Sequence, residues 1–136
     1  MRVLVDTSVW SLALRKNSRP DDPTVKELFE LIRELRVVMI GPIRQELLSG
    51  ISAHEQFTAL KERLQAFEDA PLSRSDYERA AGFYNICRKG GIQGSHIDFL
   101  ICSVSAGSKI PIFTSDKDFL RYAKHLPISL YEPRKT

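Results

Sequence analysis

Four acidic residues lie where secondary structure would bring their side chains together, although they are far apart in the sequence. They are Asp6, Glu46, Asp98 and Asp116. Asp6 ends the apolar run 2–5, and Asp116 ends the run 110–114. Buried parallel strands end in this way, and open α/β sheets carry their chemistry at the carboxyl edge of the strands. Because the other two acids fall in predicted helices, we expect four carboxylates to converge on one cleft.

Such a cleft requires a cation, because neighbouring carboxylates repel one another and otherwise take up protons. A ligand set made of carboxylate oxygens favours a hard ion, Mg²⁺ or Mn²⁺, which also binds substrate phosphates. This ion lowers the pKa of bound water and stabilises charge that develops on a phosphate. The pattern therefore predicts hydrolysis of a phosphodiester.

Each acid also has a structural explanation that the sequence leaves open. Asp6 could cap the helix after its strand, and Glu46 could pair with its surface neighbour Arg44. Asp98 follows Ser95 by three residues, so these two could form a capping box. The functional prediction depends on the joint pattern and on no single acid.

Two further residues near the acids have alternatives of their own. Asp118, like Asp116, could be an acid that the dipole of a short helix favours near its start. His96 precedes Asp98 by two residues and could act as a general base. We expect it instead to be a surface histidine in the first turn of a helix.

The elements that position these residues follow from alternating apolar runs and helical periodicity. Strands are predicted over 2–5, 36–40 and 109–114, with a weak final strand over 128–131. Helices are predicted between them, with Asp22 capping the second and a capping box at 75–78 opening the fifth. Gly107 is predicted to close the helix that carries Asp98. The predicted fold class is α/β, with a central parallel sheet between helices.

Composition limits the alternatives. The 136 residues suit one domain, 1–136, and the two cysteines, without metal-ligand spacing, predict buried reduced thiols. No run approaches the roughly 20 apolar residues that span a bilayer, and an acid interrupts the amino terminus early, so we expect a cytoplasmic protein away from membranes. The 20 basic and 17 acidic residues give a charge of +3, which permits a polyanionic partner without requiring one.

Four short segments resemble the motifs of the PIN-domain family, and most closely those of VapC-type toxins. They are Asp6-Thr7-Ser8, residues 44–50, Asp98-Phe99-Leu100-Ile101 and residues 114–119. The resemblance covers essentially the whole chain in motif order and length. Cys102 and Ser103 depart from the small apolar pair often found after the third motif, which affects packing more than chemistry.

The resemblance implies an Mg²⁺- or Mn²⁺-dependent endoribonuclease that acts as the toxin of a two-gene module. Asp6, Glu46, Asp98 and Asp116 would then be the catalytic, metal-binding acids. The implied partners are an RNA substrate, a VapB-type antitoxin that covers the cleft, and a second copy of the chain in a homodimer.

Residues beside the acids would assist them. Thr7, Ser8 and Thr114 match positions expected to orient the carboxylates or metal-bound water. Asp118 would either cap its helix or bind the metal through water. The RNA that is cut, the number of metal ions and the size of the oligomer stay open.

Three other classes of protein fit the sequence less well. A receiver module requires an adjacent acidic pair before its phosphate acceptor, and a dehalogenase-like phosphatase requires an acid where Ser8 stands. A non-catalytic PIN-like module that binds RNA or serves as a scaffold would have lost one of the acids.

The apolar stripe Phe57, Leu60, Leu64 and Phe67 predicts core packing, with a dimer or antitoxin groove as the alternative.

Overall fold

Three short parallel strands form the centre of the molecule in a computed structural model that describes residues 1–15 and 17–135. The strands are β1 (Val3–Val5), β2 (Val37–Val38) and β3 (Ile112–Phe113), in the order β2-β1-β3. All three residues of β1 are fully buried. A central parallel strand is covered on both faces, which explains why the sequence of β1 is an uninterrupted apolar run.

Isolated bridges extend the sheet on both sides. Met39 pairs with Asp69 beyond β2, and Ile112 pairs with Leu130 beyond β3. The second bridge is secured by the Ile112 N–H, which donates to the Ser129 carbonyl at 2.9 Å. The predicted strands 36–40 and 109–114 are therefore shorter than expected, and the predicted strand 128–131 forms a single bridge.

Helices occupy the connections, as the periodicity predicts. Their bounds are α1 Thr7–Leu14, α2 Pro23–Arg33, α3 Gly41–Leu48, α4 His54–Leu64, α5 Arg74–Lys89, α6 His96–Ser108 and α7 Asp118–Ala123. The helix α5 packs along α6, and α1 packs against α2 and α3. The predicted fold class, α/β with a central parallel sheet, is confirmed.

The helix ends confirm one predicted cap and correct two others. Asp22 caps α2 by accepting the Thr24 N–H at 2.8 Å. The capping box of α5 is formed by Ser73 and Asp76 and does not start at Ser75, because the helix begins earlier and Asp76 reaches the Ser73 N–H at 2.9 Å. Lys109, with φ of 57°, ends α6 in the left-handed conformation in place of the predicted Gly107.

The core contains both cysteines and part of the apolar stripe at residues 57–67. Cys87 and Cys102 are buried free thiols, as predicted. Leu64 is buried, and Phe67 lies partly buried with its ring centroid 5.1 Å from that of Trp10. Core packing therefore accounts for these members of the stripe.

Among the described residues, no helix has the length and apolar character needed to span a bilayer.

Candidate active site

Asp6 lies at the end of β1, directly before α1. It is 4% exposed, and its Oδ2 accepts hydrogen bonds of 2.8 Å from both the Ser8 and the Thr114 hydroxyls. Asp6 occupies the N-cap position of α1, but its side chain makes no capping hydrogen bond. Two hydroxyl groups, and not the helix end, hold this carboxylate in place.

The same two hydroxyls connect Asp6 to the loop that follows β3. The Ser8 hydroxyl accepts the backbone N–H of Ser115 at 3.0 Å, and the Thr114 hydroxyl accepts that of Asp116 at 3.0 Å. Each hydroxyl thus gives its proton to Asp6 and receives one from the backbone. Since β1 and β3 are parallel neighbours, this network joins Asp6 to the loop of Asp116 at one edge of the sheet.

Asp116 and Asp118 differ in their surroundings. The Oδ1 atom of Asp116 accepts the Asp118 N–H at 2.9 Å. The Asp118 carboxylate pairs with Arg121 one turn later in α7, at 2.7 Å. Asp118 therefore orients Asp116 through its backbone, while its own charge is balanced within α7.

Asp98 lies in the first turn of α6, partly buried. Ser95 caps this helix by accepting the Asp98 N–H at 3.0 Å, but the reciprocal bond of a capping box is not formed. The Asp98 Oδ2 atom instead accepts the Tyr122 hydroxyl at 2.7 Å. The carboxylate is thereby directed toward α7, the helix that begins within the fourth motif, residues 114–119.

Tyr122 is a residue of the site that the sequence interpretation missed. It is fully buried, and its ring packs between those of Phe99 and Phe119 at centroid distances of 5.0 and 5.1 Å. Gly94 leaves room for its hydroxyl, because a Cβ atom there would collide with the hydroxyl oxygen. Buried tyrosine hydroxyls need a partner, and this requirement is the signal that could have indicated its role.

Glu46 approaches the site from α3. It accepts the Thr7 hydroxyl at 2.5 Å, which ties it to the residue after Asp6. The alternative partner Arg44 instead donates to Asp69 at 2.9 Å. Glu46 is exposed and borders an open cleft of about 480 Å³ between α3 and α6. The lining residues of this cleft are Pro42, Gln45, Glu46, Ser49, His96, Ile97 and Leu100.

Within residues 1–15 and 17–135, no ion pair balances the negative charge of this cluster. Burial raises the pKa of the Asp98 carboxyl, the charges of Asp6 and Asp116 raise it further, and the Tyr122 hydrogen bond offsets only part of the effect. Of the ion pairs among the described residues, none involves any of the four predicted acids. Like charges that interact without a counter-ion favour uptake of a cation.

The arrangement of the acids suits a divalent ion that keeps part of its water shell. Within residues 1–15 and 17–135, no three His, Cys, Asp or Glu side chains stand close enough to form a ready-made metal cage. Mg²⁺, however, commonly binds through one or two carboxylates and keeps several waters and substrate phosphates. The oxygen donors and the unbalanced charge of Asp6, Asp98 and Asp116 fit an ion of this kind.

Comparison with known families defines the class of protein. The chain is α/β, with hydroxyl-anchored acids at the carboxyl edge of a parallel sheet. Its sequence matches the profile of the PIN domain over residues 3–125. The chain therefore belongs to the PIN-domain family. PIN domains are generally nucleases and typically use a divalent metal. No curated protein matches the chain.

Several solved structures have a similar fold. A chain of FitAcB from Neisseria gonorrhoeae has a TM-score of 0.76 and 21% identity, over 96% of this chain and 97% of that one. A chain of VapBC2 from Rickettsia felis, bound to a promoter DNA fragment, has a TM-score of 0.75 and 18% identity, over 99% and 100%. A chain of VapBC-1 from nontypeable Haemophilus influenzae gives 0.72 and 16%, over 97% and 98%. At these identities the likeness establishes the fold.

Proposed function

We propose that this chain is a metal-dependent endoribonuclease and the toxin of a VapBC-type toxin–antitoxin module. Its catalytic, metal-binding residues would be Asp6, Glu46, Asp98 and Asp116. The observation that carries the proposal is the cluster of Asp6, Asp98 and Asp116, anchored by protein hydroxyl and N–H donors and free of ion pairs among the described residues. A merely structural cluster of acids would be expected to include its own cation.

The proposed cofactor is Mg²⁺ or Mn²⁺, held by Asp6 and Asp98 with Asp116 and Glu46 completing the site. When bound, such an ion supplies a water of lowered pKa and stabilises charge on the phosphate. Ser8 and Thr114 restrict Asp6 through one oxygen, which leaves the other for a ligand. This restriction reduces the side-chain entropy that binding would otherwise cost.

The remaining hydrogen bonds orient the other acids. The Tyr122 hydroxyl holds one oxygen of Asp98, and the Thr7 hydroxyl holds one oxygen of Glu46. The Asp118 N–H does the same for Asp116. We propose that these donors aim the carboxylates at a phosphodiester in the cleft, with Thr7, Ser8, Thr114 and Asp118 as orienting residues.

The proposed partners are an RNA substrate, a VapB-type antitoxin and a second copy of the chain, in the cytoplasm. Support for the antitoxin comes from the VapBC and FitAB complexes among the structures of similar fold, three of them bound to DNA. The positive charge of +3 persists although acids gather in one cleft, so the remaining surface is more basic than the total and suits a phosphate backbone.

The test is cleavage of total RNA by the purified chain in Mg²⁺ or Mn²⁺, with EDTA as the metal-free reference. We expect cleavage that EDTA and Asp98→Asn both abolish. Asp21→Asn serves as the matched control, because Asp21 is an exposed acid in the loop before α2. If Asp98→Asn cleaves as well as the wild type, the proposed catalytic site is wrong.

A second measurement separates the toxin from a housekeeping nuclease and from a non-catalytic RNA-binding module. Expression of the wild type should arrest growth, whereas an acid-to-amide change at any of the four positions should relieve the arrest. RNA binding without cleavage would support the non-catalytic alternative. Growth arrest that persists in Asp6→Asn and Asp98→Asn would show that toxicity does not come from the nuclease site.

A further inference from the structure

A stack of three side chains lies beside the acidic cluster. The imidazole of His96 packs parallel to the ring of Tyr84, with centroids 5.3 Å apart and an interplanar angle of 12°. The Arg88 guanidinium lies 5.9 Å from the centroid of the Tyr84 ring and donates to its hydroxyl at 3.0 Å. We call these residues the His96 stack. His96 and Arg88 are exposed, and Tyr84 is partly buried.

The His96 stack is fixed to the element that carries Asp98. His96 is the first residue of α6 and borders the cleft that Glu46 also borders. The Tyr84 ring meets Phe99, the residue after Asp98, edge to face at 5.6 Å. The exposed imidazole is therefore supported from behind by a tyrosine that is itself packed against α6.

A second, smaller cavity of about 130 Å³ is lined in part by Tyr84. Arg88 and Gln93 contribute a guanidinium and an amide to its wall. These groups can donate to phosphate or to the edge of a base. The His96 stack thus combines a flat aromatic surface with hydrogen-bond donors and positive charge, at the rim of a predicted phosphodiester site.

From this placement we infer that the His96 stack binds an unpaired nucleobase of single-stranded RNA next to the phosphodiester that is cleaved. Proteins recognise unpaired bases by stacking them on aromatic rings, including histidine, and on arginine planes. The exposed face of His96 would receive the base, while Arg88 and its neighbour Lys89 would attract the phosphate chain. The inference rests on the proposed function and adds how the substrate is held.

The experiment measures the affinity for a short fluorescent single-stranded RNA by anisotropy in Mg²⁺. Asp98→Asn provides the background in which the RNA stays uncleaved. Adding His96→Ala should weaken binding about tenfold, the loss typical of one stacked base. His96→Phe retains a flat ring and should bind within about twofold of the background protein, because base stacking on aromatic rings tolerates such a change. His54→Ala, at an exposed histidine of α4 outside the cleft, is the matched control.

A modified RNA identifies stacking as the cause. With an abasic nucleotide beside the cleavage site, the background protein and His96→Ala should bind equally, because the ring that stacks is missing. Thermal unfolding of each variant checks that the fold is intact. Equal binding of the unmodified RNA with and without His96→Ala would assign the stack to helix packing or a protein partner and overturn the inference.

Failure of this inference is distinguishable from failure of the proposed function. If the wild type cleaves RNA in Mg²⁺ and Asp98→Asn does not, the nuclease proposal stands whatever His96→Ala does. If His96→Ala in the wild-type background cleaves unmodified RNA at the wild-type rate at subsaturating concentration, only the role of the His96 stack is wrong.

Discussion

Two acidic regions of this molecule hold negative charge in opposite ways. Glu27 of α2 is 6% exposed, and it accepts the Tyr131 hydroxyl at 2.7 Å and Arg134 Nη2 at 2.9 Å. We call these three residues the Glu27 clamp. Burial raises the pKa of Glu27, but the hydrogen bonds from Arg134 and Tyr131 outweigh it, so the net shift is downward. Asp98 has a hydroxyl partner but forms no ion pair with a residue that the structure describes, and its pKa is raised.

The contrast separates a carboxylate that stabilises the fold from one that is kept for a ligand. The Glu27 clamp fastens the carboxyl-terminal segment to α2, and Arg134 also reaches Glu34 at 2.7 Å. At the candidate active site the anchoring groups are neutral hydroxyls and N–H groups, which orient an acid without neutralising it. The protein is thus expected to tolerate charge removal at Asp98 and to lose stability from it at Glu27.

The largest effect is expected for Asp98→Asn on RNA cleavage. Loss of a ligand that supplies several kcal/mol of transition-state stabilisation should lower the rate more than about 100-fold. The metal-free protein should be as stable as the wild type or more stable, because one repelling charge is gone while the amide oxygen still accepts from Tyr122. Urea unfolding in EDTA measures this, and a large loss of stability would assign Asp98 to structure.

Divalent metal should stabilise the wild type next most strongly. Mn²⁺ at about 100 times its dissociation constant adds about 2.7 kcal/mol, which raises the melting temperature by roughly 5–10 °C in a domain of this size. The shift should disappear in Asp98→Asn and persist in Glu27→Gln. A shift of equal size in both variants would place the ion elsewhere.

Glu27→Gln should lower the free energy of unfolding by about 1–2 kcal/mol. Removing one partner of a buried pair costs more than this, but solvent screening reduces the effect because the Arg134 side chain is 47% exposed. RNA cleavage should be unchanged. The control is Glu30→Gln, because the exposed pair of Glu30 with Arg33 contributes less than about 0.5 kcal/mol. Equal losses of unfolding free energy in the two variants would contradict the role of the Glu27 clamp.

Tyr122→Phe tests whether a neutral hydroxyl orients the active-site acid. Partners of metal ligands typically contribute a factor of about 10 to 100, so cleavage and Mn²⁺ affinity should each fall about tenfold. The ring stays in place, so the loss of stability should be near 1 kcal/mol. If stability falls while Mn²⁺ affinity is unchanged, the hydrogen bond from Tyr122 to Asp98 serves only the fold.

The smallest expected effect is an opposite pH dependence of stability in the two regions, measured without metal. Because folding raises the pKa of Asp98, ionisation opposes folding, and the stabilisation produced by Asp98→Asn should grow as pH rises above about 4, the unfolded value. Because folding lowers the pKa of Glu27, the loss of stability in Glu27→Gln should be complete at pH values above the unfolded pKa of Glu27. This loss should vanish as pH falls through the lower pKa that Glu27 has in the folded protein. Parallel pH profiles for the two variants would remove the distinction.

The sequence predicted elements whose information is local. Asp22 followed by Pro23 predicted the start of α2, and the apolar run of β1 predicted a buried strand, because caps and strand patterns depend on neighbours within a few residues. The capping box of α5 was predicted at Ser75 and is formed at Ser73. Each of these serines precedes an acid by three residues, and only the path of the chain selects one of them.

The sequence alone determined which acids this protein has, and that Asp6 and Asp116 follow strands of one parallel sheet. Only the tertiary structure decided which distant partner holds each acid: Thr114 for Asp6, Tyr122 for Asp98 and Arg134 for Glu27. These pairs join residues 108, 24 and 107 positions apart. Such distances carry no periodic signal, because long-range partners are set by how helices pack on the sheet.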